Sequence, residues 1–175
     1  ALSYPTLTAA DRAALSVYLD GGGRLFLTGQ EIGWEMDDTG GQALTWYHDY
    51  LHANFINDDA NKNSVTGTAG DPIGDGLLLG LTAGLNPYPD VIAARDAYAV
   101  PCMAYTATAN QAGLRVDTGI YRLVYLGFGF ETIATEANRN LLLARSLDWL
   151  GLEPAATPER AEALLRQIPE VTDLL

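Results

Sequence analysis

"RLFLTGQEIGWEM", residues 24–36, decides how the rest of this chain is read. Leu25, Phe26 and Leu27 make a short apolar run, the pattern of a buried strand, and Gly29 and Gly33 frame a turn directly after it. Three glycines at 21–23 precede the run, and "LTAADRAALSVYLD" (7–20) before them reads as a helix. Thr8 is a good N-cap, with Asp11 three residues on in a capping-box position. Helix, glycine turn and strand are the second half of a βαβ unit. The strand that should come before the helix is expected upstream of Ala1, or is missing.

The turn itself has the spacing of a nucleophile elbow, G-x-X-x-G, over Gly29, Gln30, Glu31, Ile32 and Gly33. In such turns the central residue stands on a strained bend above the sheet. A Ser or Cys there indicates acyl transfer. Here the position falls on Glu31, which leaves three roles: a structural acceptor for backbone N–H groups, a metal or ligand contact, or a general base.

Working outward, "GQALTWYHDYLHANF" reads as a second helix over roughly residues 42–52, and residues 53–70 turn polar with short extended pieces at 54–56 and 64–68. "YAVPCMAYTA" (98–107), "GLRVDTG" (113–119) and "YRLVYLGFGF" (121–130) carry the β-branched and aromatic residues of strands. "ATEANRNLLLARSLDWLG" (134–151) is a long helix stopped by Gly151. Helices and short strands in rough alternation predict an α/β fold. The expected form is a three-layer, mostly parallel, flavodoxin-like sheet that lacks its first strand or strands. The domain is expected over residues 1–151. Residues 152–175 form a Pro/Ala linker and a C-terminal helix opening at Thr157, Pro158 and Glu159. Sites in parallel sheets lie at the carboxyl ends of strands. The second turn on that edge is Gly127, Phe128, Gly129, Phe130, Glu131, where glycines let the backbone approach something closely and Glu131 adds another acid.

Taken together, "LTAADRAALSVYLDGGGRLFLTGQEIGWEM", the later "YRLVYLGFGFE" and the helix ending "SLDWLG" resemble the class I glutamine amidotransferase-like fold, in particular its trehalose-utilisation (ThuA)-like branch found in modules of large secreted bacterial proteins. The resemblance covers residues 6–151 and is strongest at the two ends. It implies an amidotransferase-like scaffold. Glu31 stands where that family carries its Cys, and only Phe128 or Phe130 stands where it carries its His, so it also implies that amidotransferase chemistry is absent.

Both histidines lie in "HDYLH", with His48 and His52 spaced i and i+4 and Asp49 between them. On a continuous helix the two rings would share a face and could share a metal, an echo of the zincin pattern with Asp for Glu and no third ligand. Packing or surface placement is the plainer reading. In "NDDANKNS", Asp59, Asn61 and Asn63 repeat the oxygen alternation of the first half of a calcium loop. The Gly and Glu that such a loop needs are replaced by Ser64 and Gly70. A Ca²⁺ site of another kind, completed by Asp71 or Asp75, stands beside a solvated Asn/Asp loop. No other cofactor is indicated.

With 22 acidic and 10 basic side chains the formal charge is −12, which argues against nucleic acid and anionic membranes as partners. A single cysteine, Cys102, excludes a disulfide within the chain, and its apolar surroundings read as a buried thiol. The leading expectation is a non-catalytic accessory or interaction domain of a larger secreted bacterial protein, extracellular or periplasmic. Its partners would be neighbouring domains of that parent or a second copy. One alternative is a hydrolase acting on a sugar-like or peptide substrate through Glu31, Glu131 and His48 or His52, with metal assistance. The other is a calcium-stabilised structural module.

Overall fold

The computed structural model describes residues 6–85 and 87–152. The C-terminal helix expected after residue 152 lies outside them. α1 (Ala9–Asp20) opens on the expected capping box, with the Thr8 hydroxyl accepting from the Asp11 amide and the Asp11 carboxylate accepting from the Thr8 amide. It delivers the chain through the glycine turn into β1 (Arg24–Thr28). The elbow leads into a short helix that sequence periodicity did not reveal, α2 (Ile32–Thr39), and Gly40 turns the chain into α3 (Gly41–Tyr50). Six strands follow first: β2 (Ala53–Asn57), β3 (Ser64–Gly67), β4 (Leu78–Gly80), β5 (Val91–Ala94), β6 (Ala99–Tyr105) and β7 (Gln111–Asp117). After these come β8 (Arg122–Leu126) and α4 (Glu136–Leu150), the latter capped by Thr135 and closed by Gly151.

The strands form one sheet with the path β1-β8-β7-β6-β3-β4, and β5 bridges from β7 to β2. Only β1–β8 is parallel among the described strands; every other pairing is antiparallel. The sheet curls into a half-barrel. The expected mostly parallel, flavodoxin-like sheet is therefore incorrect. The physical reason lies in the connections. A parallel crossover needs about a dozen residues or more, whereas β6 reaches β7 and β7 reaches β8 through short turns that only antiparallel neighbours can use.

Two cores flank the sheet. On one face α1, α2 and α3 bring Leu19, Met36, Trp46 and Tyr47 against Leu114, Val116, Leu123 and Tyr125. On the other, Leu142 and Leu150 of α4 meet Val124, Leu126, Phe128, Met103 and Ile73. β8 serves both cores through strict alternation, and Leu123, Val124, Tyr125 and Leu126 are all fully buried. Among the aromatic residues, Trp46, Tyr47, Tyr105, Tyr121, Tyr125 and Phe128 are buried in these cores, whereas Tyr18, Tyr88 and Tyr98 are exposed.

Candidate functional site at the carboxyl end of β1

The elbow has the local geometry its spacing suggests. Glu31 occupies the apex in the left-handed region, at φ 71° and ψ −4°, and it caps α2 without a side-chain hydrogen bond. A non-glycine residue is held in this conformation only where its surroundings require it. Here the requirement comes from behind the turn. Asp90, fully buried just before β5, accepts the Gly33 amide through Oδ2 at 2.7 Å. It thereby supplies the acceptor that the amino end of α2 lacks locally. A Cβ on Gly33 would stand 3.1 Å from that same carboxylate oxygen and 3.0 Å from the Tyr47 hydroxyl, so only glycine allows this approach without the neighbours giving way.

Asp90 is tied down by its backbone as well. Its amide donates to the Gly127 carbonyl at 2.8 Å, and its carbonyl accepts from the Tyr105 hydroxyl at 2.9 Å. Gly127 is thus the close approach expected of the second turn, since a Cβ there would meet the Asp90 carbonyl oxygen at 2.5 Å. Burial pushes the Asp90 carboxyl up to about 7; the Glu31 charge adds to this, and the elbow amides oppose it. Its second oxygen, Oδ1, is buried without a hydrogen-bond partner, as is Oδ1 of Asp58. Glu31 is raised too, first by burial and then by repulsion from Asp58. Gln30 ties the neighbouring loop to the elbow by accepting the Tyr88 amide at 3.3 Å.

Sequence reading found Glu31 and missed Asp90, which sits in the irregular stretch "NPYPDVI". The available signal was indirect. No Ser, Thr, Asp or Asn precedes α2, so its free amides had to find an acceptor from elsewhere in the chain.

His52 does not reach this turn, whereas the Phe130 amide donates to the Thr28 hydroxyl at 3.2 Å and sets Glu131 on the same edge of the sheet. Glu131 lies past the end of β8 with its carboxylate folded back over Gly129. No hydrogen bond or ion pair joins it to Glu31 among the described residues. The "HDYLH" helix stops early: α3 ends at Tyr50, and His52 has a left-handed φ of 49°, so His48 and His52 do not share a helical face. His52 points into a polar bridge, with Nδ1 2.7 Å from Asp96 Oδ2 and Nε2 3.0 Å from the Tyr121 hydroxyl. Tyr121 immediately precedes β8, so His52 stands at the amino end of the sheet, opposite the elbow. His48 is held below its usual range by burial and by Arg95.

Several of the proposed calcium ligands make hydrogen bonds within the fold. Asp59 Oδ1 accepts the Asn61 amide at 2.7 Å, an Asx turn. Asp71 is buried, accepts the Ile73 and Gly74 amides through Oδ1, and pairs with Arg115 Nε at 2.7 Å through Oδ2. Asp75 accepts the Gly70 amide at 2.8 Å. Asn63 contributes its backbone carbonyl to the Leu81 amide. Among the described residues no three His, Cys, Asp or Glu side chains are grouped so as to hold a metal ion. Cys102 is fully buried and its thiol is pushed up by burial, an inert sulfur. No described helix is long and apolar enough to cross a membrane.

No family model and no curated protein matches this chain. Solved structures do share its fold. A cold-adapted β-galactosidase from Rahnella sp. R3 aligns over 84% of this chain and 22% of its own, at 15% identity and a TM-score of 0.56. A GH42 β-galactosidase, Gan42B, aligns over 85% of this chain and 20% of its own, at 19% identity and a TM-score of 0.56. The N-terminal domain of mmIFT52 is similar over 82% of this chain and 72% of that domain, at 16% identity and a TM-score of 0.56. At these identities the likeness concerns the fold alone. This chain spans about a fifth of the length of the β-galactosidases it resembles. The amidotransferase, ThuA-like assignment is corrected by the mixed, curled sheet and by these glycoside hydrolase neighbours. The expectations of secretion and of calcium find no support in either.

Proposed function

We propose that this chain is an accessory domain of a larger protein built like the glycoside hydrolases it resembles, and that it supplies no catalytic group itself. The observation that carries this reading is the use made of the elbow. Its apex holds a carboxylate in place of a nucleophile, and the acid behind it is spent on the backbone of α2. The His52 ring stands at the far end of the sheet with both nitrogens engaged. The share of the β-galactosidases that this chain covers is in keeping with one module among several. Its work is then to bind or space neighbouring parts of the parent, through protein contacts.

The test is an assay of this chain, and of its parent protein, on aryl β-galactosides and β-mannosides. The isolated chain should give no turnover above buffer, and Glu31→Gln in the parent should leave kcat and KM unchanged. Turnover by the isolated chain that disappears in Glu31→Gln at an unchanged melting temperature would establish a hydrolase instead.

A further inference from the structure

His52 lies in a left-handed turn between the end of α3 and the start of β2, and its buried ring packs against Tyr98 and Tyr121. The accessory role proposed above makes no use of it. The partners of its two nitrogens determine where its protons sit.

The Tyr121 hydroxyl has one proton to give. It lies 3.0 Å from the Tyr50 carbonyl oxygen and 3.4 Å from that of Asp49, and carbonyls in the last turn of a helix have no partner within it. Two oxygens this close repel unless a proton lies between them. The Tyr121 proton therefore goes to the end of α3. Its oxygen is left to accept from His52 Nε2, 3.0 Å away, so Nε2 bears a proton.

The other nitrogen gives the same answer. Nδ1 stands 2.7 Å from Asp96 Oδ2, within the range of a charge-assisted bond. Asp96 also accepts the Tyr98 amide through Oδ1 at 3.0 Å. Burial raises its carboxyl, but the bonds from His52 and Tyr98 outweigh this and hold it below the usual carboxylate range. An ionised carboxylate can only accept, so Nδ1 bears a proton too. The surrounding charges favour a cation here. Asp96 of the β5–β6 loop, Asp49 of α3 and Asp20 of α1 act on this cluster, Asp20 through the Tyr50 hydroxyl at 3.1 Å. Arg95 opposes them; its amide donates to the His52 carbonyl at 2.9 Å, and its guanidinium reaches Asn54 Oδ1 at 3.0 Å.

We propose that His52 is held as an imidazolium and acts as a pH-sensitive latch at the amino end of the sheet, joining the end of α3, the β5–β6 loop and the β7–β8 turn. Loss of either ring proton breaks one of these links. Asp96 then faces a lone pair, or Tyr121 must withdraw its proton from the helix to satisfy Nε2. The latch contributes its full stability while both protons are bound, and that contribution is lost as the pH rises.

Ring-nitrogen NMR of the ¹⁵N-labelled full chain tests this at about pH 7, where an ordinary imidazole is mostly neutral. Both His52 nitrogens should show the shifts of protonated nitrogens. His48, held below its usual range by burial and by Arg95, should show one protonated and one bare nitrogen in the same sample. A bare nitrogen on His52 overturns the proposal. Asp96→Asn removes the carboxylate that holds the Nδ1 proton. The melting-temperature gap between wild type and this variant should close by about 2–4 °C as the pH rises. A gap that does not change with pH is what a neutral, merely structural histidine would give, and it overturns the proposal equally. The ring measurement needs no variant, so it decides the matter even where Asp96→Asn does not fold.

Discussion

Asp90 Oδ2 lies 2.7 Å from the Gly33 amide nitrogen, joining positions 57 residues apart and fixing the elbow to the strand layer behind it. With its carboxyl raised to about 7, Asp90 keeps its proton in the folded state over a range where the unfolded chain has lost it. The folded protein then binds more protons than the unfolded one between about pH 4 and pH 7. This contribution is favourable at the acid end and is lost as the pH rises through that window. Melting curves across it should show the wild type losing stability relative to Asp90→Asn, by a few kcal/mol at most. A constant difference between the two would mean that Asp90 is charged throughout.

Glu31→Gly should stabilise the fold. The left-handed apex costs a non-glycine residue about 1 kcal/mol, and the side chain brings a charge that repels both Asp58 and Asp90. The expected gain is about 1 kcal/mol in denaturant unfolding. The same variant should also shift the pH dependence assigned to Asp90 towards lower pH. A loss of stability would show that the Glu31 side chain holds the turn in a way its geometry does not reveal.

Asp71 and Arg115 form the most buried ion pair among the described residues, with the Asp71 side chain 3% exposed. The Arg115 guanidinium also lies over the Trp149 ring, 5.6 Å from its centroid. Asp71→Ala leaves Arg115 and two turn amides without their acceptor, and should cost about 3–5 kcal/mol, the range for breaking a buried pair. Asp71→Asn keeps one acceptor for the amides and should cost less. Chemical denaturation midpoints at an unchanged m-value measure both.

His52 should not respond to zinc. Its two ring nitrogens are occupied by Asp96 and Tyr121, and His48 is on the last turn of a helix that His52 has left. Added Zn²⁺ or EDTA is expected to leave the melting temperature where it is. His52→Ala should lower it, by about 1–2 kcal/mol of stability for the bonds lost. A zinc-dependent rise that vanishes in His48→Ala would restore the paired-histidine reading.

Much of the fold was legible where a local rule governs it. The Thr8–Asp11 box, the glycine turn, the elbow and the Gly151 stop all depend on residues within a few positions of one another, and each lies where the sequence places it. The short turns at 106–110 and 118–121 also forbade parallel crossovers, and the alternation of helices with strands at the two ends of the chain hid that signal. His52 was misplaced because spacing assumes an unbroken helix, and the left-handed turn at His52 ends it.

From its own letters the chain determined that Glu31 stands at the apex of a glycine-framed bend and that Cys102 has no cysteine to pair with. It could not name Asp90, 59 residues further on, as the acid that holds the bend, since contact between distant positions depends on how the strands are ordered. Tertiary structure alone decided that order. Antiparallel folding of the middle strands carried Asp90 beneath the elbow and left His52 at the other end, because each strand pairs wherever its apolar faces meet both cores.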